Sequence, residues 1–349
     1  MIFSFVQTVL QSKSRVTLSP YRYLKYLSLK KIINFFILHL SFRLSLKHPC
    51  AHPFFVTIEP TTACNLRCPQ CPSGLRKFTR PTGNLKENTL NQIIKALKPF
   101  LIQVQFYFQG EPFIHPRLPE FIRKVHDAGI YTSVSTNAHF INEEKAKEIV
   151  HSGLDEIIIS LDGMTQKTYS TYRIDGEISR VFTFIETLKK AKKECNSKTP
   201  YIHLQFIVFR HNEAEIPVFI EFAERSRVDA WSLKGAQVYN IEEAGKWVPL
   251  KSHLSRYEKK NGTWIIRNEL KNECLRMWTG CVFTWDGTIV PCCFDKDAKY
   301  SMGNIMQQSW KDIWNGIPYK EFRNRIRKNR KSIDICLNCT EGTKGVYQP

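Results

Sequence analysis

The chain has 349 residues, of which 42% are hydrophobic and 24% are charged. This length supports a large core and more than one domain, and the composition is that of a soluble globular protein, which excludes a largely disordered chain. The net charge is +19. Such an excess favours an acidic partner, such as nucleic acid, anionic lipid or an anionic substrate.

Most of the eleven cysteines fall in three short clusters, at 64–71, 274–293 and 336–339. Each cluster is tight enough for metal ligation, which favours thiolate ligands over disulfide bonds. The apolar start, Met1 to Leu10, lacks a basic region and a small-residue cleavage site, so it is not a convincing signal peptide. We therefore expect a cytoplasmic protein, because thiolates persist in a reducing compartment.

The first 58 residues carry eight Lys or Arg and no Asp or Glu. Residues 22–46 predict one or two amphipathic helices, and their most apolar piece, 32–40, is too short to span a bilayer. We expect residues 1–46 to form helices outside the main domain that either pack on it or lie on an anionic membrane. A second basic run, at 320–331, is either a solvated face or a specific contact.

From residue 53, apolar runs suited to buried strands alternate with helical patterns. Such alternation predicts a parallel sheet with right-handed crossovers. Six units are two short of a full eight-unit barrel. The predicted strands are Phe54–Ile58, Ile102–Phe108, Ile130–Ser135, Glu156–Ser160, Tyr201–Phe209 and Ala230–Lys234, and the predicted helices lie near 86–98, 117–128, 142–152, 178–194 and 213–226.

A cysteine triplet, Cys64, Cys68 and Cys71, follows the first predicted strand. Three thiolates this close together can bind one face of a [4Fe–4S] cluster and leave the fourth iron open to a chelating molecule. The triplet resembles the signature of radical S-adenosylmethionine (SAM) enzymes, although Gln70 stands where that family often has an aromatic residue. The resemblance implies an incomplete (β/α)6 barrel of TIM type. It also implies that SAM bound at the open iron is cleaved to a 5′-deoxyadenosyl radical, which abstracts hydrogen from a substrate.

Polar clusters follow the later predicted strands, on the rim where barrel enzymes collect their chemistry. The cluster Gln109, Gly110, Glu111 and Pro112 resembles the Gly-Gly-Glu-Pro motif of radical SAM enzymes, whose backbone meets the SAM amino group. Gln109 replaces its first glycine. The same resemblance implies that polar residues after the third and fourth strands bind the ribose or carboxylate of SAM. These candidates are Thr136, Asn137, Ser160 and Asp162.

Two further candidates for SAM binding each have an alternative. Asn212 and Glu215 resemble the Asn-x-x-Glu pattern that follows the fifth strand in radical SAM enzymes, but Asn212 would serve equally as a helix N-cap with Glu215 completing a capping box. Arg173 would pair with the SAM carboxylate through its fork of donors, or lie on the surface.

The barrel pattern ends near residue 240, and the C-terminal third predicts a small α+β module instead of more barrel. Asn261-Gly262, within 256–268, and Asp286-Gly287, within 282–290, are strong hairpin signals. Ser309 predicts the N-cap of a helix, and a second helix near 318–329 carries the basic run.

Six cysteines belong to this module. Cys274, Cys292, Cys336 and Cys339 make four ligands for one cluster, and Cys281 and Cys293 are left over. The stretch from Trp285 to Cys293, with the segments that follow it, resembles the SPASM and twitch domains, which carry auxiliary iron–sulfur clusters. We expect one auxiliary [4Fe–4S] cluster with no open iron. Four cysteines with a Cys-x-x-Cys pair also fit tetrahedral zinc.

The sequence therefore predicts three parts: a basic amphipathic segment (1–50), a radical SAM partial barrel (51–250) and a SPASM or twitch domain (251–349). We expect an oxidoreductase or maturase that cleaves SAM and oxidises an unknown peptide, sugar or small metabolite. The expected electron donor is a protein such as flavodoxin or ferredoxin.

The rival hypothesis is a non-enzymatic zinc protein whose basic surface binds nucleic acid. It explains the net charge and the C-terminal cysteines. It does not explain a three-cysteine set on a rim of polar clusters, and the basic runs lack interleaved aromatic residues for base stacking. The sequence thus argues against nucleic acid as the partner.

Overall fold

The computed structural model describes residues 20–267, 269–339 and 346–347. The apolar start, Met1 to Leu10, and the rest of the predicted helical segment before residue 20 lie outside these residues.

The strands form where apolar or β-branched runs are bounded by polar and turn residues. All six predicted barrel strands are present, and the fourth has its predicted bounds. The strands are β1 (Phe55–Ile58), β2 (Gln103–Phe106), β3 (Tyr131–Thr136), β4 (Glu156–Ser160), β5 (Tyr201–Val208), β6 (Ala230–Gly235), β7 (Tyr257–Lys260), β8 (Thr263–Ile266), β9 (Gly280–Phe283), β10 (Thr288–Val290), β11 (Gly303–Asn304) and β12 (Val346–Tyr347).

The predicted barrel helices are also present, and Ser309 caps its helix as predicted, since its hydroxyl accepts a hydrogen bond from the Asp312 amide at 3.2 Å. The helices are α1 (Leu29–Arg43), α2 (Pro72–Leu75), α3 (Glu87–Leu97), α4 (Leu118–Asp127), α5 (Glu143–His151), α6 (Gln166–Tyr172), α7 (Ile178–Glu194), α8 (Ile216–Arg225), α9 (Ala244–Trp247), α10 (Arg276–Thr279), α11 (Trp310–Trp314), α12 (Ile317–Asn329) and α13 (Asp334–Leu337), with short 3-10 turns at Pro20–Tyr26, Pro112–Ile114, Glu213–Glu215, Ile241–Glu243, Ser252–Leu254 and Arg330–Ser332.

Strands β1 to β6 pair in chain order, each parallel to the next. Helices α3, α4, α5, α7 and α8 lie in the crossovers between them, and their apolar faces share one core with the sheet. This is the predicted incomplete (β/α)6 barrel. Because all six strands run the same way, their C-terminal ends meet at one rim.

The sheet does not stop at β6 and β1. Strand β9 pairs parallel with β1, with Phe55 opposite Gly280, and β10 and β11 extend this edge in antiparallel fashion. The prediction that the C-terminal third adds nothing to the barrel sheet is therefore wrong. The cause is the buried run Gly280–Phe283, which covers the otherwise open edge of β1. The hairpin β7–β8 is separate, as predicted.

The segment before β1 closes the end of the barrel opposite the rim. The Tyr23 hydroxyl donates to the Gln103 side-chain oxygen at 3.1 Å, and its ring lies 4.7 Å from that of Tyr131. The Tyr26 hydroxyl donates to the Asp155 carboxylate. The expected packing of this segment on the main domain is thus confirmed for the turn Pro20–Tyr26, because its tyrosines supply hydroxyls to polar groups at the starts of the strands.

None of the helices in the described part of the chain is long and apolar enough to cross a membrane.

Candidate active site

The loop that carries the cysteine triplet is held against the next strand's rim by backbone contact. The Glu111 amide donates to the Ala63 carbonyl at 2.7 Å. Gly110 has a φ of +75°, and a Cβ at this position would lie 2.3 Å from the Thr61 carbonyl oxygen and 2.7 Å from that of Ala63. Only glycine permits this approach, so Gly110 fixes the position of the loop.

The substitution of Gln109 for the family's first glycine is accommodated by Ser73. The Ser73 hydroxyl donates to the Gln109 side-chain oxygen at 3.0 Å and accepts from the Gly110 amide at 2.8 Å. The Gln109 amide group donates to the Phe108 carbonyl. Gln109 is therefore buried and fully engaged between β2 and α2. Its side chain points toward the cysteine loop. The backbone of Gly110 and Glu111 is not displaced by it and contacts Ser73 and Ala63 instead.

The three thiols of the triplet lie on one short loop. Cys68 is buried, and Cys64 and Cys71 are half-buried. Burial raises the pKa of the Cys64 thiol to about 12 and that of Cys68 to about 11, although Arg173 opposes the shift at Cys68. Both thiols would be protonated in the iron-free protein at neutral pH, so cluster binding must release their protons.

Glu111 joins the rims of β2 and β3. Its carboxylate accepts hydrogen bonds from the Thr136 hydroxyl at 2.7 Å, the Asn137 amide at 2.7 Å and the Phe113 amide at 3.1 Å. Burial raises the pKa of Glu111, and these donors lower it by less. The Glu111 side chain is thus a structural tie. Asn137 is presented beside the triplet, where its side-chain amide donates to Asn65 at 2.8 Å and lies 4.0 Å from the Cys64 sulfur.

Arg173 is not a surface residue. Its guanidinium forms a buried ion pair with Asp162, with 2.6 Å between Nε and the carboxylate, and Nη1 lies 3.9 Å from the Cys68 sulfur. Asp162 also accepts from the Ile207 amide at 2.7 Å. Asp162 thus holds the Arg173 guanidinium beside the triplet. Ser160 lies buried at the end of β4 on the same rim.

The capping-box interpretation of Asn212 and Glu215 is wrong. The Asn212 side chain accepts from the Phe209 amide at 2.7 Å and donates to the Asp162 and Ile207 carbonyls at 3.0 and 2.9 Å. Glu215 accepts from the Met164 amide at 2.7 Å. Asn212 is fully buried, and both of its amide hydrogens bond within the protein. It joins the C-terminal ends of β4 and β5 at the rim, and its side chain caps no helix.

Gln70, at the position often aromatic in radical SAM enzymes, links the cysteine loop to the segment after β6. Its amide donates to the Glu243 carboxylate at 2.6 Å and its oxygen accepts from the Tyr239 amide at 2.8 Å. Sequence analysis noted the residue but not this role, because the partners lie more than 160 residues away. Nothing in the local pattern indicates them.

The four cysteines chosen as auxiliary ligands line one pocket. Cys274 precedes α10, Cys292 follows β10, and Cys336 and Cys339 lie in and after α13. Cys281 and Cys293 do not line this pocket. The Cys281 thiol is buried beside the Tyr319 hydroxyl, and Cys293 packs with Phe108, Val282 and Val290. Four thiols that line one apolar pocket suit an iron–sulfur cluster, whose four irons each take one thiolate. Among the described side chains, no three Cys, His, Asp or Glu residues are grouped closely enough to hold one metal ion.

Part of the second basic run is internal. Arg330 is buried, its Nη2 donates to the Cys339 sulfur at 3.1 Å and its Nη1 donates to the Glu273 carbonyl at 2.8 Å. Arg323 is also buried, and it donates to the carbonyls of Lys47 and Trp314 at 3.0 and 3.2 Å. The expectation of a solvated face is wrong for these two residues. Their seven-residue spacing, with Phe322 and Ile326 on the same face, was a helical signal that could have found them.

Lys296, whose position in the sequence gives no sign of a role, lies near Cys71 of the triplet and near Cys293. Its ammonium lies 5.8 Å from the centre of the Tyr239 ring and 6.0 Å from that of Phe108. Burial lowers the pKa of Lys296, but Tyr239, Cys293 and Cys71 raise it by more. The residue therefore adds a second positive charge near the triplet.

Comparison with known proteins identifies two domains. Residues 58–223 match the model of the radical SAM superfamily. The chain therefore contains a radical SAM domain. Residues 274–340 match the SPASM iron–sulfur cluster-binding domain. The radical SAM domain binds a [4Fe–4S] cluster and SAM, and the SPASM domain binds auxiliary iron–sulfur clusters.

Individual radical SAM relatives are distant. The chain is 28% identical over 317 residues to the tungsten-containing aldehyde ferredoxin oxidoreductase cofactor-modifying protein of Pyrococcus furiosus, covering 82% of this chain and 87% of the relative. SuiB of Streptococcus suis bound to SAM matches with a TM-score of 0.60 at 16% identity, over 82% of this chain and 72% of SuiB. BtrN in complex with SAM and 2-DOIA matches with a TM-score of 0.53 at 18% identity, over 84% and 97%. The two structures share the fold.

Proposed function

We propose that this radical SAM enzyme reductively cleaves SAM and oxidises its substrate after hydrogen abstraction. Cys64, Cys68 and Cys71 would hold the catalytic [4Fe–4S] cluster. When bound, that cluster supplies the electron that cleaves SAM and so yields the hydrogen-abstracting radical. The observation that carries the proposal is the placement of these three thiols on the barrel rim, beside Asn137 and Arg173.

The chain's own residues would bind and orient SAM around the triplet. The Gly110 amide already bonds to Ser73, so its carbonyl is the group that would accept from the SAM amino group. Asn137 and Ser160 offer hydrogen-bonding groups on the same rim, at the C-terminal ends of β3 and β4. Arg173, held by Asp162, would pair with the SAM carboxylate through the donors that Asp162 does not use. Gln109, Glu111, Pro112 and Asn212 would act by positioning these groups.

The oxidation part of the proposal depends on the auxiliary pocket. Cys274, Cys292, Cys336 and Cys339 would hold one auxiliary [4Fe–4S] cluster with every iron ligated by protein, which leaves no iron to chelate a substrate. An electron released by the substrate radical then has an acceptor within the same chain. We therefore favour dehydrogenation or cross-link formation over isomerisation.

Anaerobic reconstitution with iron and sulfide, followed by iron analysis and measurement of 5′-deoxyadenosine release under a strong reductant, tests these assignments. Two clusters predict about eight irons per chain. Alanine at Cys64, Cys68 or Cys71 should abolish deoxyadenosine release, and its persistence in all three variants would refute the catalytic site.

The adjacent cysteines 292 and 293 give a matched pair for the auxiliary site. Cys292→Ala should lose about four irons and keep SAM cleavage, whereas Cys293→Ala should keep about eight, because only Cys292 lines the pocket. Equal iron loss in both variants would overturn the ligand set. Once a substrate is available, the double variant Cys336→Ala, Cys339→Ala should still release deoxyadenosine but make no product. Full product formation by this variant would exclude the electron-acceptor role of the auxiliary cluster.

The substrate class proposed is a peptide, a sugar or another small metabolite. The relatives differ in the molecule they are named for or bound to. One is a cofactor-modifying protein, SuiB has been seen with the precursor peptide SuiA, and BtrN has been seen with 2-DOIA. We propose flavodoxin or ferredoxin as electron donor, since the net charge of +19 favours an acidic protein. Reduction of the loaded enzyme by purified flavodoxin, followed by optical absorbance, tests the donor directly.

A further inference from the structure

Helix α1 buries polar as well as apolar side chains. Its buried residues are Lys31, Asn34, Phe35, Leu38 and Ser41. The Lys31 ammonium donates to the carbonyls of Tyr26 and Gly129 at 3.0 and 2.7 Å, and the Asn34 side chain forms two bonds with the His52 backbone at 2.8 and 2.9 Å. The inward face is thus held to the domain by hydrogen bonds as well as by the packing of Phe35 and Leu38.

The outward face of α1 is apolar. The exposed side chains recur every three or four residues, as one stripe of a helix does, and they are Leu29 (73% exposed), Ile33 (48%), Ile37 (38%), Leu40 (55%) and Leu44 (61%). A contiguous exposed apolar stripe marks an interaction surface. The stripe extends over most of a 15-residue helix, about 22 Å long.

Basic residues surround this stripe. Lys30, Arg43 and Lys47 are exposed on or just after α1. Helix α12 lies alongside, since Arg327 donates to the Phe42 carbonyl at 2.5 Å. The structure therefore joins the two basic runs of the sequence. The exposed Ile317 begins α12, so this neighbour adds an apolar side chain as well as charge.

Three titratable groups in and near α1, including Lys31 on its inward face, have basic neighbours. Burial and then Lys98 lower the pKa of Lys31 to about 8. Burial lowers the pKa of His52, and Lys30 adds to the shift. Burial followed by Lys320, Arg323 and Lys47 lowers the pKa of His48. No acidic residue appears among the causes of these three shifts, in keeping with the absence of Asp and Glu from residues 1–58.

We propose that the outward face of α1, together with the adjoining basic edge of α12, docks on the surface of an anionic lipid bilayer. An interfacial helix buries an apolar face among the acyl chains while basic residues contact anionic headgroups. The stripe and its basic surroundings supply both parts. The helix lies in the membrane plane and does not cross it.

Charge favours a bilayer over the other occupants. Residues 1–19 carry Lys13 and Arg15 and no acidic residue, so folding them over the stripe would bring positive charge onto a basic surface. A second copy of the chain would do the same, because a twofold contact places like residues together. Nucleic acid would neutralise the charge but leave the Leu and Ile side chains in water.

The test is flotation of the full-length protein with vesicles of phosphatidylcholine, with and without phosphatidylglycerol. We expect the protein to float with the anionic vesicles and to bind neutral vesicles much more weakly. The apolar variant Ile33→Gln, Ile37→Gln, Leu40→Gln should lose at least about tenfold in binding. The charge variant Arg43→Gln, Lys47→Gln, Lys320→Gln should lose about fivefold for each charge at low salt.

Matched controls change exposed residues elsewhere: Val218→Gln with Leu250→Gln for the apolar set, and Lys259→Gln with Lys260→Gln for the charges. Both controls should bind like the wild type. Equal losses in controls and test variants, or a wild-type chain that does not float, would overturn the proposal. A chain that does not float but is dimeric, with a monomeric apolar variant, would instead assign the face to a second copy. Because SAM cleavage is measured separately, its failure and the failure of lipid binding are distinguishable.

Discussion

The two cysteine sites are built in different ways. The triplet lies within eight consecutive positions of one loop, whose place is set by backbone contacts to Gly110. The auxiliary pocket collects its cysteines from three separate segments, and side chains of α10 and α12 complete it. The first site is determined by local chain geometry and one close approach. The second exists only once the C-terminal third has folded.

This difference predicts that each site can be damaged without the other. A backbone clash under the triplet loop should leave the auxiliary pocket intact. Loss of a buried side chain in the auxiliary pocket should leave the triplet intact. Iron analysis of single variants measures the separation directly.

The largest effect is expected for Gly110→Ala. The added methyl group would lie 2.3 Å from the Thr61 carbonyl oxygen, so the cysteine loop must move. We expect reconstituted protein to hold about four irons instead of about eight and to lose SAM cleavage. The matched control is Gly129→Ala, which has a similar φ of +73° but no atom within 4 Å of the new Cβ.

Gly129→Ala should carry only the conformational cost of an alanine at positive φ, about 1–2 kcal/mol, and keep about eight irons. If both glycine variants lose the same amount of iron, the loss comes from backbone strain at positive φ. The close approach of Gly110 to Thr61 and Ala63 would then not be what positions the loop.

An intermediate effect is expected for Arg330→Met at the auxiliary pocket. The variant removes the donor to the Cys339 sulfur and leaves the Glu273 carbonyl without this partner. The free energy of unfolding should fall by about 1.5–3 kcal/mol, as for loss of hydrogen bonds from a charged group. The reduction potential of the auxiliary cluster should also fall, because a positive charge and a hydrogen bond to sulfur are lost.

Urea unfolding and a potentiometric titration followed by electron paramagnetic resonance measure these two quantities for Arg330→Met. The control is Arg325→Met, on the exposed side of helix α12, which directly precedes Arg330; it should change neither quantity. An unchanged potential in Arg330→Met, with a full complement of iron, would contradict a role beside the cluster.

The smallest effect is expected for Gln70→Ala. The change removes two hydrogen bonds that join the cysteine loop to the segment after β6. We expect a loss of about 1–2 kcal/mol in stability, with iron content and SAM cleavage retained, because Gly110 still positions the loop. Thermal unfolding beside the exposed-site control Gln307→Ala measures it. Loss of the triplet cluster in Gln70→Ala would show that long-range contacts, and not Gly110 alone, hold the loop.

Local patterns predicted the elements of the fold well. Strand β4 has its predicted bounds, and Ser309 caps its helix, because both depend on residues that are adjacent in sequence. The choice of Cys292 over Cys293 as the cysteine lining the auxiliary pocket also followed from spacing.

Partner choice over long distances was not predictable in the same way. The pairing of β9 with β1 depends on which edge of the parallel sheet is open after folding. No local feature of Gly280–Phe283 predicts that edge. Arg330 belongs to a basic run whose charge favours exposure to solvent. In the fold, however, the guanidinium is buried and bonds to the Glu273 carbonyl and the Cys339 sulfur. Asn212 fits a helix cap in sequence, but the folded chain offers it better partners on two neighbouring strands.

The pairing of β1 with β9 has a consequence for the order of folding. The two strands are separated by more than 220 residues, so β1 keeps an unpaired edge while most of the chain is being synthesised. Such long-range pairing is slow, and an exposed strand edge promotes aggregation. A chain stopped shortly before residue 280 would present that edge permanently, directly upstream of Cys64, Cys68 and Cys71. The C-terminal third therefore supplies the strand that covers this edge, next to the loop that carries the cysteine triplet.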